Sequence, residues 1–270
     1  MQHKLNSTDR FIAVEIEVAN LEDPDSAYGI SECVRRWGGS IVSDGSLPAT
    51  GFEINTSPAS GDLFVKQIQE ICTKLNNCEA VVDSSCGLHV HLDARDFDYY
   101  ELRNLIKVYA SLEPLFFSMV PESRENSQYC LPCGEKFAEA IDNGRLPYKE
   151  AKKKVIKATY GVDSPKDFRK EKYCSARYTA LNLHSFFFRG SLECRLFNGS
   201  TNPGKIVAWA LTLAKMLEFA KKASQETCDK MWQTSKNLEA KDLKSLLFMV
   251  IDNDPTLIKF IESRLEKHTR

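Results

Sequence analysis

The sequence predicts an α+β fold built on a mainly antiparallel sheet covered by helices, with a helical C-terminal part. Three observations predict it. Four stretches alternate aliphatic and polar residues with the period of a half-buried strand: Ile12 to Val18, Phe52 to Asn55, Leu88 to Asp93 and Leu192 to Leu196. Strands fall at both ends of the main portion with helical patterns between them, and everything after Gly204 reads as helix.

Along the chain, Asp23-Pro24-Asp25-Ser26 supplies turn and cap chemistry after the first strand, and Ala27 to Trp37 reads as a helix stopped by Gly38-Gly39. Ser40 to Ser43 is a short strand. A turn-rich segment around Asp44-Gly45-Ser46-Leu47-Pro48 leads through Gly51 into the Glu53 strand, which Pro58 ends. Ser60-Gly61-Asp62 opens a helix whose Leu63, Val65, Ile68, Ile71, Cys72 and Leu75 follow helical spacing. Glu79 to Asp83 reads as another strand, and Ser84 to Gly87 as the loop that feeds the histidine strand. Tyr99 to Val120 is a long apolar helix containing Pro114.

Between residues 121 and 172, glycine, proline and charge break the pattern into short helices, an inserted excursion or lid rich in lysine from Lys149 to Lys172. Strands are expected again over Tyr178 to Leu183 and Phe186 to Arg189, with Gly190-Ser191 as a hairpin into the Glu193 strand. The tail, about 204–270, divides into helices at Ile206 to Ala220, Gln225 to Gln233, Ala240 to Ile251 and Pro255 to Lys267. The whole reads as a single catalytic domain over 1–270.

Composition narrows the function. A net charge of -1 argues against a general polyanion binder, so nucleic acid is not an expected partner. No apolar run approaches the ~20 residues that span a bilayer, and Met1 to Arg10 is polar, so a soluble protein without membrane association is expected. Nine cysteines make an odd set for a disulfide framework, which reads as a reducing, cytoplasmic location. Cys130-Leu-Pro-Cys133 is half a zinc site or a redox pair at most, and no second Cys-x-x-Cys accompanies it.

The polar faces of the four strands carry the chemistry. Residues two apart on a strand share a face, roughly 7 Å from one another, so Glu15 projects with Glu17, His89 with His91 and Glu193 with Arg195. If the strands share a sheet, acids, imidazoles and a guanidinium converge. Such a cluster is costly to bury unless a cation or an anionic ligand compensates it. Glu15, Glu17, Glu53 and Glu193 offer hard oxygens and His89 a nitrogen, a set that favours Mg²⁺ or Mn²⁺ over thiolate zinc. Arg195 and Arg189 are suited to hold phosphate oxygens. Acids and histidines also activate water, so a metal-dependent hydrolase stays open on this reading, as does a catalytically idle nucleotide-binding module.

The order Glu-x-Glu, Asp-Gly-Ser-Leu, Gly-Phe-Glu, Ser-Pro, Gly-Leu-His-Val-His, Arg-Tyr-x-Ala-Leu-Asn, Glu-x-Arg-x-Phe-Asn-Gly resembles the amidoligase family. That family is similar to the glutamine synthetase and glutamate-cysteine ligase superfamily of carboxylate-amine ligases. The resemblance runs over roughly Phe11 to Lys215. It implies a curved sheet of the glutamine synthetase catalytic type, binding ATP and divalent cations. It also implies an acyl-phosphate route from a small-molecule or peptide carboxylate and an amine acceptor to an amide or isopeptide bond. On this resemblance Glu15, Glu17, Glu53, His89 and Glu193 look like metal ligands, with Glu53, Arg195 and Arg189 in the catalytic set. His91, Arg195, Asn198 and Ser200 match the nucleotide side, and Asp44, Ser46, Arg177 and Asn182 the substrate side. Arg177 and Asn182 have opposite parity on one expected strand, so a bulge is needed for both to face a pocket. Arg124 is a further lid candidate whose ordinary alternative is surface exposure.

Overall fold

The computed structural model describes residues 9–21, 26–141, 144, 146–162 and 171–268. Six strands form one sheet in the order β3-β4-β1-β6-β8-β7: β1 (Ile12–Val18), β3 (Ser40–Val42), β4 (Phe52–Asn55), β6 (Gly87–Asp93), β7 (Leu181–Asn182) and β8 (Ser191–Asn198). Two short strands, β2 (Asn20–Leu21) and β5 (Ala80–Val81), pair separately. The chain divides into two compact units, the first made of 1–92 and 194–211, the second of 93–193 and 212–270.

In the first unit β1 is central, antiparallel to β4 on one side and to β6 on the other, while β3 runs antiparallel to β4. Alternation on β1 does what the pattern requires: Ile12, Val14, Ile16 and Val18 are all buried. The strand is fixed beyond its ladder, because Val14 N donates to Thr56 Oγ1 at 2.8 Å and Thr56 N to Val14 O at 3.0 Å. Helices α1 (Ser26–Arg36) and α2 (Gly61–Asn77) pack together, burying Ile30 and Val34 from one and Phe64, Ile68, Ile71 and Leu75 from the other. Gly39 passes so close to β4 that an added Cβ would stand 2.6 Å from Asn55 O, which leaves room for glycine alone. At the end of β8, Phe197 stacks on Trp209 of α8 (Pro203–Lys222), with ring centroids 4.0 Å apart.

The second unit is organised on α3 (Tyr99–Ser118), whose N-terminus closes with a capping box: Asp98 accepts from Tyr100 N and Glu101 N, and Glu101 accepts from Asp98 N. The described residues of 121–172 include α4 (Glu122–Glu125), α5 (Gly134–Glu139) and α6 (Tyr148–Tyr160), with α5 and α6 packed on α3. Residues 163–170 of the lysine-rich stretch lie outside the described residues, as does the turn at Asp23-Pro24-Asp25. Arg124, for which exposure was the ordinary expectation, is buried, and its carbonyl accepts from Cys130 Sγ at 3.2 Å. A buried ion pair, Arg103 Nη2 to Asp229 Oδ1 at 2.7 Å, ties α3 to α9 (Gln225–Ser235). A 3₁₀ turn over Ala240–Leu243, α10 (Lys244–Val250) and α11 (Pro255–His268) complete the tail.

Two expected strands are corrected. Phe186 to Arg189 belongs to a helix, α7 (His184–Arg189). Three phenylalanines and an arginine in a row carry no alternation to oppose a helical turn. Gly190, at φ 78°, is its left-handed C-cap rather than a hairpin residue, with Gly190 N bonded to Phe186 O at 3.0 Å. Of Tyr178 to Leu183 only Leu181–Asn182 is strand, because Ser175–Arg177 forms a 3₁₀ turn and the main chain of 178–180 bonds instead to Leu131. Among the described residues no helix is long and apolar enough to cross a membrane.

Candidate active site

Register builds the site. On β1, Glu15 sits directly opposite His89 of β6, and Glu17 directly opposite Glu53 of β4. Directly opposed residues share a sheet face, so these four side chains rise together from neighbouring strands, with His91 on the diagonal from Glu15. The bonds follow: Glu15 Oε2 meets His89 Nδ1 at 2.7 Å, and Glu15 Oε1 meets His91 Nε2 at 2.9 Å. His89 Nε2 stands 3.5 Å from Glu17 Oε1, so its ring is bracketed by two carboxylates.

Glu17 and Glu53 also have fixed neutral partners. Glu17 Oε2 accepts from the Gly87 amide, and Glu53 Oε1 accepts from Asn55 Nδ2 at 2.7 Å. Asn55 shares Glu53's face by parity, so the same period-two reading that selected the acids points to it. Gly87 acts through its backbone, which no side-chain pattern reports.

Crowding of buried acids separates their proton affinities. Burial, followed by the negative charges of Glu15 and Glu17, pushes the Glu53 carboxyl up to about 7, although His89 and the Asn55 bond oppose the shift. For Glu15 burial also acts upward, but the bonds and charges of His89 and His91 outweigh it and hold the group well below the usual carboxylate range. Asp44, half-buried in its turn, accepts from Ser46 N at 2.7 Å and Ser46 Oγ at 2.6 Å. Burial raises its carboxyl, yet these bonds and the fields of His89 and Arg195 bring it below its ordinary value.

Glu17, Glu53 and His89 each present one ligand atom, all within 4.8 Å of one another, and all three residues are buried. Two hard oxygens and an imidazole nitrogen at that spacing fit a divalent cation of the Mg²⁺ or Mn²⁺ kind.

Other predicted residues have defined surroundings. Arg195 is buried on β8. Asn198 Oδ1 accepts from Lys205 Nζ at 3.0 Å, and Ser200 Oγ from Asn202 N at 3.1 Å, so both are engaged in the turn that starts α8. In the second unit, Glu193 is buried and its Oε2 accepts from Asn182 Nδ2 at 2.7 Å, which makes Asn182 a direct partner of that acid. Arg177 lies off the strand. Its guanidinium packs over the rings of Tyr173 and Tyr178, 5.2 and 5.0 Å from their centroids, so the parity conflict with Asn182 does not arise. Arg189 is the exposed last residue of α7, over Phe188. Cys130 and Cys133 are buried thiols; Cys133 Sγ accepts from Leu181 N at 3.5 Å, and its own amide donates to the buried Glu113 at 3.0 Å. Those contacts assign the pair to packing in this structure.

The chain is thus an α+β protein in which β1 and its neighbours β4 and β6 bring together a carboxylate and imidazole cluster suited to a divalent cation. A family model described as "Putative amidoligase enzyme" matches residues 19–217, well over half of the chain, and the chain belongs to that family. The matched interval starts after Val18, so it contains Glu53, His89, His91, Glu193 and Arg195 but neither Glu15 nor Glu17. A search of curated proteins finds no match. Among solved structures, a crystal structure described as a novel glutamine synthase homolog is similar at 12% identity and a TM-score of 0.38. The similarity covers 96% of this chain and 64% of that one.

Proposed function

We propose that the protein is an ATP- and Mg²⁺-dependent ligase that joins a carboxylate to an amine. The observation that carries this reading is the register-built cluster of Glu15, Glu17, Glu53 and His89, with the fields of His89 and Arg195 both reaching Asp44. Membership of the amidoligase family supports the same direction.

On this reading Glu15, Glu17, Glu53 and His89 hold divalent cations, with Glu193 as a further acid. Bound cations supply neutralising charge for phosphate oxygens. His91, Asn198 and Ser200 contact the nucleotide, and Arg195 binds phosphate oxygens that acids alone would repel. Arg189 is a second arginine of this kind. The substrate carboxylate attacks the γ-phosphorus of ATP and ADP leaves; the amine then attacks the acyl carbon, loses a proton and expels phosphate. Such phosphoryl transfer asks the protein for positioning and charge stabilisation rather than for a nucleophile. Asp44, Ser46, Arg177 and Asn182 stand as substrate contacts, and the acyl phosphate has to be kept from water. The substrates are a small-molecule or peptide carboxylate and an amine, and the setting is cytoplasmic.

The test is to incubate the protein with ATP, Mg²⁺ and pools of acids and amines, following ADP release and condensation products by mass spectrometry. ADP formed only when acid and amine are both present is the expected result. Absence of Mg²⁺-supported ATP binding, or turnover of acceptors without nucleotide, overturns it.

A further inference from the structure

One peptide unit, between Cys86 and Gly87, is hydrogen-bonded on both sides. Its N–H, on Gly87, donates to Glu17 Oε2, and its carbonyl, on Cys86, accepts from Gly199 N at 2.8 Å. A trans peptide is a rigid plane whose N–H and C=O point in opposite directions, so any tilt imposed at the carbonyl reappears at the N–H. Serial hydrogen bonds also polarise one another: donation into the Cys86 carbonyl makes the Gly87 N–H a better donor to the carboxylate.

The contact at Gly199 is closed to any larger residue. An added Cβ would stand 2.6 Å from Cys86 Cβ and 2.7 Å from Val82 Cγ1, distances that force something to move. Neither side yields easily. Cys86 is fully buried in a small cluster with Ala19 and Leu47, against which Val82 packs. On the other side, the Phe197–Trp209 stack anchors the chain two residues before Gly199.

We infer that Gly199 is a positioning residue for Glu17, acting across the Cys86–Gly87 peptide to aim that carboxylate at the cation shared with Glu53 and His89. The inference rests on the proposed reading of Glu17 as a cation-holding acid. It also gives the glycine of the Phe197-Asn198-Gly199 segment a task that composition alone does not disclose.

Mn²⁺ titration followed by electron paramagnetic resonance tests it with four proteins: wild type, Gly199→Ala, Glu17→Gln and the double variant. Gly199→Ala is expected to weaken Mn²⁺ by about tenfold, the scale of losses when a ligand's outer partner is removed. In the Glu17→Gln background the same change should add nothing. Unchanged affinity in Gly199→Ala, or an equal loss in both backgrounds, overturns the inference, since a merely structural glycine would act independently of Glu17. Wild-type protein that binds no Mn²⁺ overturns the cation reading and the role of Gly199 in it.

A second measurement needs no substitution at Gly199. With only 13 glycines, ¹⁵N-glycine labelling gives a resolvable amide spectrum. In metal-free Glu17→Gln, the Gly87 and Gly199 amide protons should both move upfield from their wild-type positions. A shift at Gly87 alone, or at neither, removes the coupling through the shared peptide.

Discussion

Glu53→Gln isolates the electrostatic cost of the metal-free site. The Glu53 carboxyl ordinarily titrates near 4.5 and stands at about 7 in the folded chain. An acid whose folded pKa is raised binds its proton more tightly when folded, so stability is highest below the unfolded value and falls as pH climbs through the folded one. At about 1.4 kcal/mol per tenfold change in proton affinity, the penalty at pH 8 is roughly 3 kcal/mol. Glutamine carries no such penalty and keeps a carbonyl oxygen for Asn55 Nδ2. Wild type and Glu53→Gln should therefore match near pH 4.5, and the variant should be more stable by up to that amount at pH 8. Urea unfolding with EDTA across pH 4.5 to 8.5 measures the difference. A pH-independent gap, or a variant less stable than wild type at pH 8, would refute the reasoning. The same proton must leave when a divalent cation binds, so Mn²⁺ binding near pH 6 should release close to one proton in wild type and far less in Glu53→Gln, as buffer-dependent calorimetry would reveal.

Three further outcomes follow from other contacts. Glu15 has a depressed folded pKa, so it contributes stability above its unfolded value that disappears as pH falls; Glu15→Gln should destabilise the metal-free protein near neutrality and lose that effect in acid, read from thermal melts. Arg195→Ala should slow ADP formation by about a hundredfold or more while changing Mn²⁺ affinity little, since a preorganised charge acts mainly on the developing phosphate charge; equal losses in both would remove that role. Arg103→Met leaves the Asp229 carboxylate without its buried partner and should cost about 3–5 kcal/mol in urea unfolding, with Mn²⁺ affinity of the folded protein preserved.

Period-two alternation was enough to put Glu15 with Glu17 and His89 with His91, because side-chain direction on a strand is local geometry. Pairing them across strands needed the register, and that depends on long-range contacts such as Thr56 with Val14. The errors have local causes. Phe186 to Arg189 looked like a strand from β propensity alone, while the conformation of Gly190 makes it a helical turn. Asn182, expected on the substrate side, also donates to Glu193 at 2.7 Å, a contact that needs β7 beside β8 and that neither segment discloses alone. Gly87 and Gly199 stand inside the sequence motifs, yet their roles are not legible there, because they act through main-chain atoms brought together from segments over a hundred residues apart.

Placing both acids on the middle strand has a consequence for assembly. If β1 slid by one residue, Glu15 and Glu17 would turn into the oily side and the aliphatic row would turn toward the charges. Two carboxylates stranded there would cost far more than a mispaired ladder could return, so the groups proposed for chemistry also proofread the alignment of β1 with its neighbours.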